Sequence, residues 1–247
     1  MGRNSGETEG TVVKSKLVVV GDCGCGKTAL IQRYTRGVYT EGYTPSSFDT
    51  STATYSVSDT YHIQMSIWDT PGDSGFDGVR PLSYTDADLI VICFNIGDPD
   101  SMANAVTKWG PEVRENCPHQ PIILVGCQSD LRHDLKSIST LAKNNLAHTT
   151  YEQGLKSANV IGALVYSETS SKTSHKSVTD VMEVAALSSA GSNSLTINKS
   201  AVTTNKDATD DSSLKRQRSV MKKKRFNGVS EAKAHLRKEV AKGCSIM

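Results

Sequence analysis

The chain has 247 residues, 37% of them hydrophobic, six cysteines and a formal net charge of +2. That apolar share lies below the roughly 45–50% of a wholly globular chain, so part of the length is expected outside a core, and no apolar run reaches the ~20 residues of a membrane helix. Charge is uneven: Leu214 to Gly243 holds eleven Lys/Arg against two Asp/Glu, a local +9 that leaves −7 for the rest and predicts an anionic partner for the tail alone. Neither a secretory leader nor a myristoylation pattern opens the chain. Cys23, Cys25, Cys93, Cys117, Cys127 and Cys244 make no C-x-x-C pair, which argues against a zinc ribbon and fits a reducing compartment.

Residues 1–14 read as a flexible polar extension. Lys16–Gly21 is a short β-branched run ending in glycine, hence a buried strand, and Lys27–Arg36 has helical spacing. Thr50–Val57 and His62–Asp69 alternate apolar and polar residues, as a hairpin exposed on one face does. Asp88–Asn95 and Pro121–Gly126 are continuous apolar runs, the pattern of central parallel strands. Between them Ser101–Glu115 has helical spacing through Met102, Ala105, Val106, Trp109 and Val113. A helix from Tyr151, a strand near Ala163–Tyr166 and a helix over His175–Leu187 complete a unit of residues 15–187. Alternating strands and helices predict an α/β fold with a mostly parallel sheet, with ligand loops at the carboxyl ends of the strands. Residues 188–213, rich in Ser, Thr, Asn, Asp and Gly, read as a linker. The basic tail, 214–247, contains a short amphipathic stretch in which Ala232, Leu236 and Val240 recur every four residues.

Four motifs carry chemistry. Gly21-Asp22-Cys23-Gly24-Cys25-Gly26-Lys27-Thr28 matches G-x-x-x-x-G-K-[ST] between a predicted strand and a predicted helix. The N–H groups of such a loop wrap a β-phosphate at a helix N-terminus. Lys27 is placed to reach the β- and γ-phosphates, the Thr28 hydroxyl to ligate Mg²⁺, and Ala29 follows in the same cradle. Asp69-Thr-Pro-Gly72 ends a strand, where Asp69 can sit near the metal and the Gly72 N–H can meet a γ-phosphate; alone, the same four residues are also a good turn. Cys127-Gln128-Ser129-Asp130 follows a central strand, with Asp130 placed to accept two N–H donors from a guanine edge. Ser170, Ser171 and Lys172 follow the last strand and back up the base. In this order the motifs specify GTP.

Residues from about Lys16 to Leu187 resemble a Ras-superfamily small GTPase of the Rho family. Trp68-Asp-Thr, Val79-Arg-Pro-Leu-Ser-Tyr84 and the stretch 133–150, similar to the Rho insert, carry the resemblance. Ser66-Ile-Trp-Asp-Thr, Val91-Ile-Cys-Phe94, Gly126-Cys-Gln-Ser-Asp-Leu-Arg132 and the terminal Cys-Ser-Ile-Met resemble the Rnd subgroup. The resemblance implies a P-loop NTPase three-layer fold: six strands, mostly parallel, one antiparallel edge strand, helices on both faces. It also implies that Tyr39 stacks on the base, that Ser46 joins Thr28 and Asp69 at Mg²⁺, and that residues 38–50 and 69–82 are the effector-binding switches.

The departures matter as much. Cys23 stands where active members have glycine, and its side chain obstructs the space for the water-orienting residue and for a partner's arginine finger. Asp73 stands where they place the glutamine that orients the attacking water; it is shorter, lacks an amide donor and adds negative charge beside developing negative charge. Gln128 replaces a lysine whose stem lies over the guanine, so affinity is expected to be lower. The expectation is a protein that stays GTP-bound; a cycling Rho GTPase and a nucleotide-free scaffold are the alternatives. Rnd-like behaviour further implies antagonism of Rho-driven contractility, with Rho GAPs, Rho-dependent kinases and plexins as partners, no nucleic acid and a monomeric state.

Cys244-Ser-Ile-Met247 is a C-a-a-X box, with farnesyl favoured over geranylgeranyl. Lys222–Arg225 upstream supplies the second signal that one prenyl chain needs, about 1 kcal/mol per cation at an anionic surface. This predicts the cytoplasmic face of the plasma membrane with a cytosolic pool; nuclear import and a merely solvated run are the competing readings of the cluster. Arg216-Gln-Arg-Ser219 resembles a basophilic kinase site, and phosphate there would weaken membrane binding and could recruit a 14-3-3 adaptor.

Overall fold

A computed structural model describes residues 10–42, 47–201, 226 and 228–244, the side chains of 191–201 and 242–244 excepted. Ser46, Ser219 and Lys222–Arg225 lie outside the described residues. Strands β1 (Thr11–Gly21), β2 (Asp49–Ser58), β3 (Tyr61–Asp69), β4 (Leu89–Asn95), β5 (Ile122–Cys127) and β6 (Val165–Glu168) form one sheet in the order β2-β3-β1-β4-β5-β6. Every pairing is parallel except β2 with β3 at the edge. The expected α/β fold with one antiparallel edge strand is therefore the observed one.

The helices are α1 (Lys27–Arg36), α2 (Pro99–Asn104), α3 (Gly110–Asn116), α4 (Leu135–Lys143), α5 (Tyr151–Ile161), α6 (His175–Ala201) and α7 (Val229–Cys244). Strand alternation makes two cores. Leu17, Val19, Val91 and Cys93 face one side, against Leu30 of α1, Val178 and Met182 of α6, and Leu236 of α7. Val18, Val20, Ile90 and Ile92 face the other, against Val113 of α3 and Ala158 and Ile161 of α5. Burial on both faces is why β1, β4 and β5 read as continuous apolar runs.

Four expectations need correction. Residues 11–14 are not a loose extension: Thr11 pairs with Tyr61 and Lys14 with Gln64, lengthening β1. These residues lack an apolar pattern because they lie on a partly exposed part of the sheet. Residues 188–190 are not a linker. They continue α6 and are buried, with the Ser188 hydroxyl donating to the Val184 carbonyl at 2.7 Å and Ser189 to Ala186 at 2.8 Å. These back-bonds satisfy hydroxyls that composition alone assigns to a solvated segment. The helix expected over Ser101–Glu115 is interrupted by a π turn, Ala105–Trp109, a feature concentrated at functional sites. Finally, β6 lies two residues further on than expected, because Leu164 donates to Ile122 before the ladder proper begins.

At Gly154 in α5, a Cβ would overlap the ring of Tyr166, which lies parallel to Phe94 at 6.2 Å and donates to Glu168 at 2.8 Å. A helical Gly→Ala change normally gains about 1 kcal/mol; overpacking reverses that here. Gly154→Ala is expected to cost about 3 kcal/mol, a drop in Tm of about 6–12 °C by thermal denaturation. An unchanged Tm would mean that Tyr166 moves aside freely.

Candidate nucleotide site

The carboxyl ends of β1, β3, β5 and β6 converge on one pole, and each contributes one element of the site. After β1, the loop turns with Gly21 at φ 145° and Gly26 at φ 112°, conformations that L side chains rarely adopt. Gly26 then opens α1, whose first residue Lys27 is buried and donates to the carbonyls of Gly21 and Asp22, each at 2.8 Å. The ammonium is thus held inside the loop, beside helix N–H groups, which is an anion cradle by geometry and charge together.

Asp69 ends β3. Its Oδ2 accepts from the Thr28 hydroxyl at 2.5 Å, while its Oδ1 is buried with no hydrogen-bond partner among the described residues. Burial raises the Asp69 pKa, and the Thr28 hydroxyl and the Lys27 ammonium oppose that shift. An unpartnered buried carboxylate oxygen beside a hydroxyl fits a hard cation. No group of three His, Cys, Asp or Glu is placed to hold a metal ion by itself among the described residues, and Mg²⁺ needs none, because it takes one or two protein oxygens and completes its shell with phosphate and water. Thr28 and Asp69 are the described residues that would hold it. Gly72 approaches the loop so closely that a Cβ there would lie 2.5 Å from the Cys23 nitrogen; only a glycine permits this contact.

Asp73 bonds within its own turn. Its Oδ1 accepts from the Gly75 N–H at 2.7 Å, capping the short 3-10 turn Ser74–Phe76. Cys23 is exposed at the loop mouth.

After β5, Gln128 adopts φ 60° and its amide donates to the Gly24 carbonyl at 2.9 Å, strapping the base loop to the phosphate loop. The Asp130 carboxylate accepts from the buried Ser170 hydroxyl at 2.5 Å, and the Ser170 oxygen in turn accepts from the Thr173 N–H at 3.0 Å and hydroxyl at 2.8 Å. The chain of donors fixes the carboxylate's orientation. Lys172 is exposed and pairs with Glu41 at 2.7 Å, which holds the Glu41 carboxyl below its usual range. Tyr39 is half-buried nearby, and Ser171 lies on the turn after Ser170. Cys25, Cys93 and Cys127 lie buried beneath the loop, and the five cysteines with described side chains are free thiols. Cys244 belongs to the end of α7, outside this pole.

Sequence reasoning missed a second layer. The Asp22 carboxylate accepts from Trp109 Nε1 at 2.7 Å and from Asn104 at 2.8 Å. Arg80, buried, lies 4.6 Å from the Trp109 ring centroid, pairs with Asp77 and donates to Glu112 at 3.3 Å; Tyr84 donates to the same Glu112 oxygen at 2.6 Å. One tryptophan thus joins the phosphate loop to the segment after Asp73. In the sequence Trp109 reads only as part of an apolar helical stripe, and nothing in the spacing shows that its indole N–H meets Asp22.

Comparison with known proteins agrees with this geometry. The family described as the Ras family matches residues 16–189. The chain is 38% identical over 235 residues to the Rho-related GTP-binding protein RhoE of Homo sapiens, covering 95% of this chain and 91% of that protein. It is 42% identical over 179 residues to GTP-binding protein rho5 of Schizosaccharomyces pombe (72% of this chain, 88% of that one) and 43% over 175 residues to rho1 of the same yeast (71% and 86%). The likeness to RhoE therefore reaches into the tail, whereas the yeast matches cover less of the chain. Loop, metal pair, base loop and sequence coincide: this chain belongs to the Rho branch of the Ras family, as a Rnd-like small GTP-binding signalling protein.

Proposed function

We propose that this protein holds GTP with negligible hydrolysis and signals by presenting its switch surface, opposing Rho-driven actomyosin contractility from the cytoplasmic face of the plasma membrane. The observation that carries the reading is the Asp73 carboxylate, whose Oδ1 accepts from the Gly75 N–H at 2.7 Å, with a cysteine in the phosphate loop. A short carboxylate tied to its own turn lacks the amide donor that orients the attacking water and adds negative charge beside developing negative charge, and the Cys23 side chain obstructs an arginine finger.

Binding and hydrolysis separate at the level of residues. Lys27 and the loop N–H groups hold phosphate, Thr28 and Asp69 hold Mg²⁺ with Ser46 as a third oxygen, Tyr39 covers the base, and Asp130 selects guanine. Bound Mg²⁺ supplies charge neutralisation on the phosphate oxygens. Gln128 keeps a hydrogen bond to the phosphate loop but not a cationic stem over the base, so affinity is lowered and not lost. Effectors, in the Rho GAP, Rho-dependent kinase and plexin classes, meet residues 38–50 and 69–82. Exposed apolar Val79 and Leu82, and the edge-to-face pair Phe48–Phe76 at 5.8 Å, support such a surface. A prenyl group on Cys244 and the Lys222–Arg225 cluster anchor the chain, and phosphate at Ser219 weakens the anchor and offers a 14-3-3 site.

The test is the nucleotide extracted from protein purified from cells, followed by single-turnover decay with and without a Rho GAP. GTP without decay is expected. GDP, or GAP-stimulated decay, would make this a cycling enzyme, and absence of nucleotide would make it a scaffold.

A further inference from the structure

Helix α7 does not stand apart from the nucleotide-binding body. Ala232, Leu236 and Val240, one stripe at four-residue spacing, are buried in the core that α6 covers. Phe226 leads into it as a parallel bridge to Val165, its N–H donating to the Leu164 carbonyl at 3.1 Å. Beside the stripe, Lys233 pairs with Asp180 at 3.3 Å and with Glu183, both on α6. Arg237, one turn on, donates to the Tyr55 hydroxyl of β2 at 2.6 Å. Phe226 sits against the amino end of β6, and Arg237 and Ala241 approach Val57, Ser58 and Tyr61 at the β2–β3 turn. Both places lie at the pole opposite the nucleotide loops. Phe226 and helix α7 are therefore strapped against the body, toward the far end of the sheet.

A basic amphipathic helix binds an anionic bilayer by burying its apolar stripe in the interface, with its cations at the headgroups. Helix α7 has one such stripe, and the body holds it; Lys233 and Arg237, which flank it, are already neutralised by Glu183 and Asp180 or bonded to Tyr55. The two hosts need the same face of the same helix. We propose that the surface formed by Asp180, Glu183 and Tyr55 is an intramolecular dock that competes with an anionic membrane for helix 229–244, so that the tail is masked in the cytosol and unstrapped at an acidic lipid surface. This deepens the membrane reading above and rests on it, but needs no lipid on Cys244.

The test uses full-length, unprenylated protein and co-sedimentation with vesicles of phosphatidylcholine containing or lacking phosphatidylserine. Asp180→Asn with Glu183→Gln is expected to raise the affinity for acidic vesicles about 3- to 10-fold, the loss of two or three partly exposed ion pairs. The control pair Glu115→Gln with Glu152→Gln removes the same charge elsewhere and is expected to give a smaller change. A second variant, Glu183→Cys with Lys233→Cys in a Cys23→Ser, Cys244→Ser background, is bridged by a short reducible bis-maleimide across the positions whose side chains now pair; this locked form is expected to bind acidic vesicles less, with recovery on reduction. Equal binding by the dock and control variants, together with a locked form that binds like the reduced one, overturns the dock. If no form prefers acidic vesicles, the membrane reading of the helix fails, and the dock as a competitor fails with it; the prenyl anchor is tested separately by lipid labelling at Cys244.

Discussion

Cys23→Gly combined with Asp73→Gln is expected to restore GTP hydrolysis, with the larger part of the gain appearing only when a Rho GAP is added. The expected acceleration with GAP is about 10³–10⁵-fold, the range an arginine finger supplies to a competent site. Each substitution addresses a different obstruction. The first clears the loop mouth of a Cβ and a sulfur atom. The second replaces a carboxylate bonded to Gly75 with an amide that can reach the attacking water and donate to it. Because both lesions act on one transition state, each single variant is expected to recover little alone; such sets of residues are strongly non-additive. The measurement is single-turnover phosphate release for the four combinations, with and without GAP. A double variant as inert as the parent would place the defect elsewhere in the site.

Asp130→Ala is expected to weaken GTP binding about 10²–10⁴-fold, through loss of two hydrogen bonds to a charged acceptor at about 1.5–3 kcal/mol each. The Ser170 hydroxyl that now donates to Asp130 at 2.5 Å would lose that acceptor as well. Fold stability and base recognition are separated by comparing GTP with ITP, which lacks the exocyclic amine. The parent is expected to prefer GTP by about 10- to 150-fold, the worth of one charged hydrogen bond, and the variant to lose that preference. Retention of full discrimination in Asp130→Ala would remove the carboxylate from base recognition.

The phosphate loop was legible because its chemistry is local. A β-branched run, Val18–Val20, leads into eight consecutive residues, Gly21–Thr28, whose glycines at the turn and lysine opening a helix leave one geometry available. Asp69 and Asp130 were legible for a related reason: Asp69 ends β3, Asp130 follows β5 by three residues, and parallel strands bring their carboxyl ends to one pole. The link between Asp22 and Trp109 spans 87 positions, and the helical spacing around Trp109 gave no sign of the π turn at Ala105–Trp109.

The tail shows the division most clearly. Its amphipathic spacing was plain from Ala232, Leu236 and Val240, and its charge from the run of lysines and arginines. Which host would receive the stripe was not plain, because a bilayer and a protein groove ask for the same periodicity. The sequence by itself determined the nucleotide chemistry, the two-faced burial of the central strands and the helical character of residues 230–241. The tertiary structure alone decided that Asp180 and Glu183 meet Lys233, that Ser188 and Ser189 are interior, that Thr11–Lys14 pair with β3, and that Asp73 caps its own turn. These outcomes depend on which distant surface a segment meets, and polar or weakly patterned residues carry no record of that surface until the chain has folded around it.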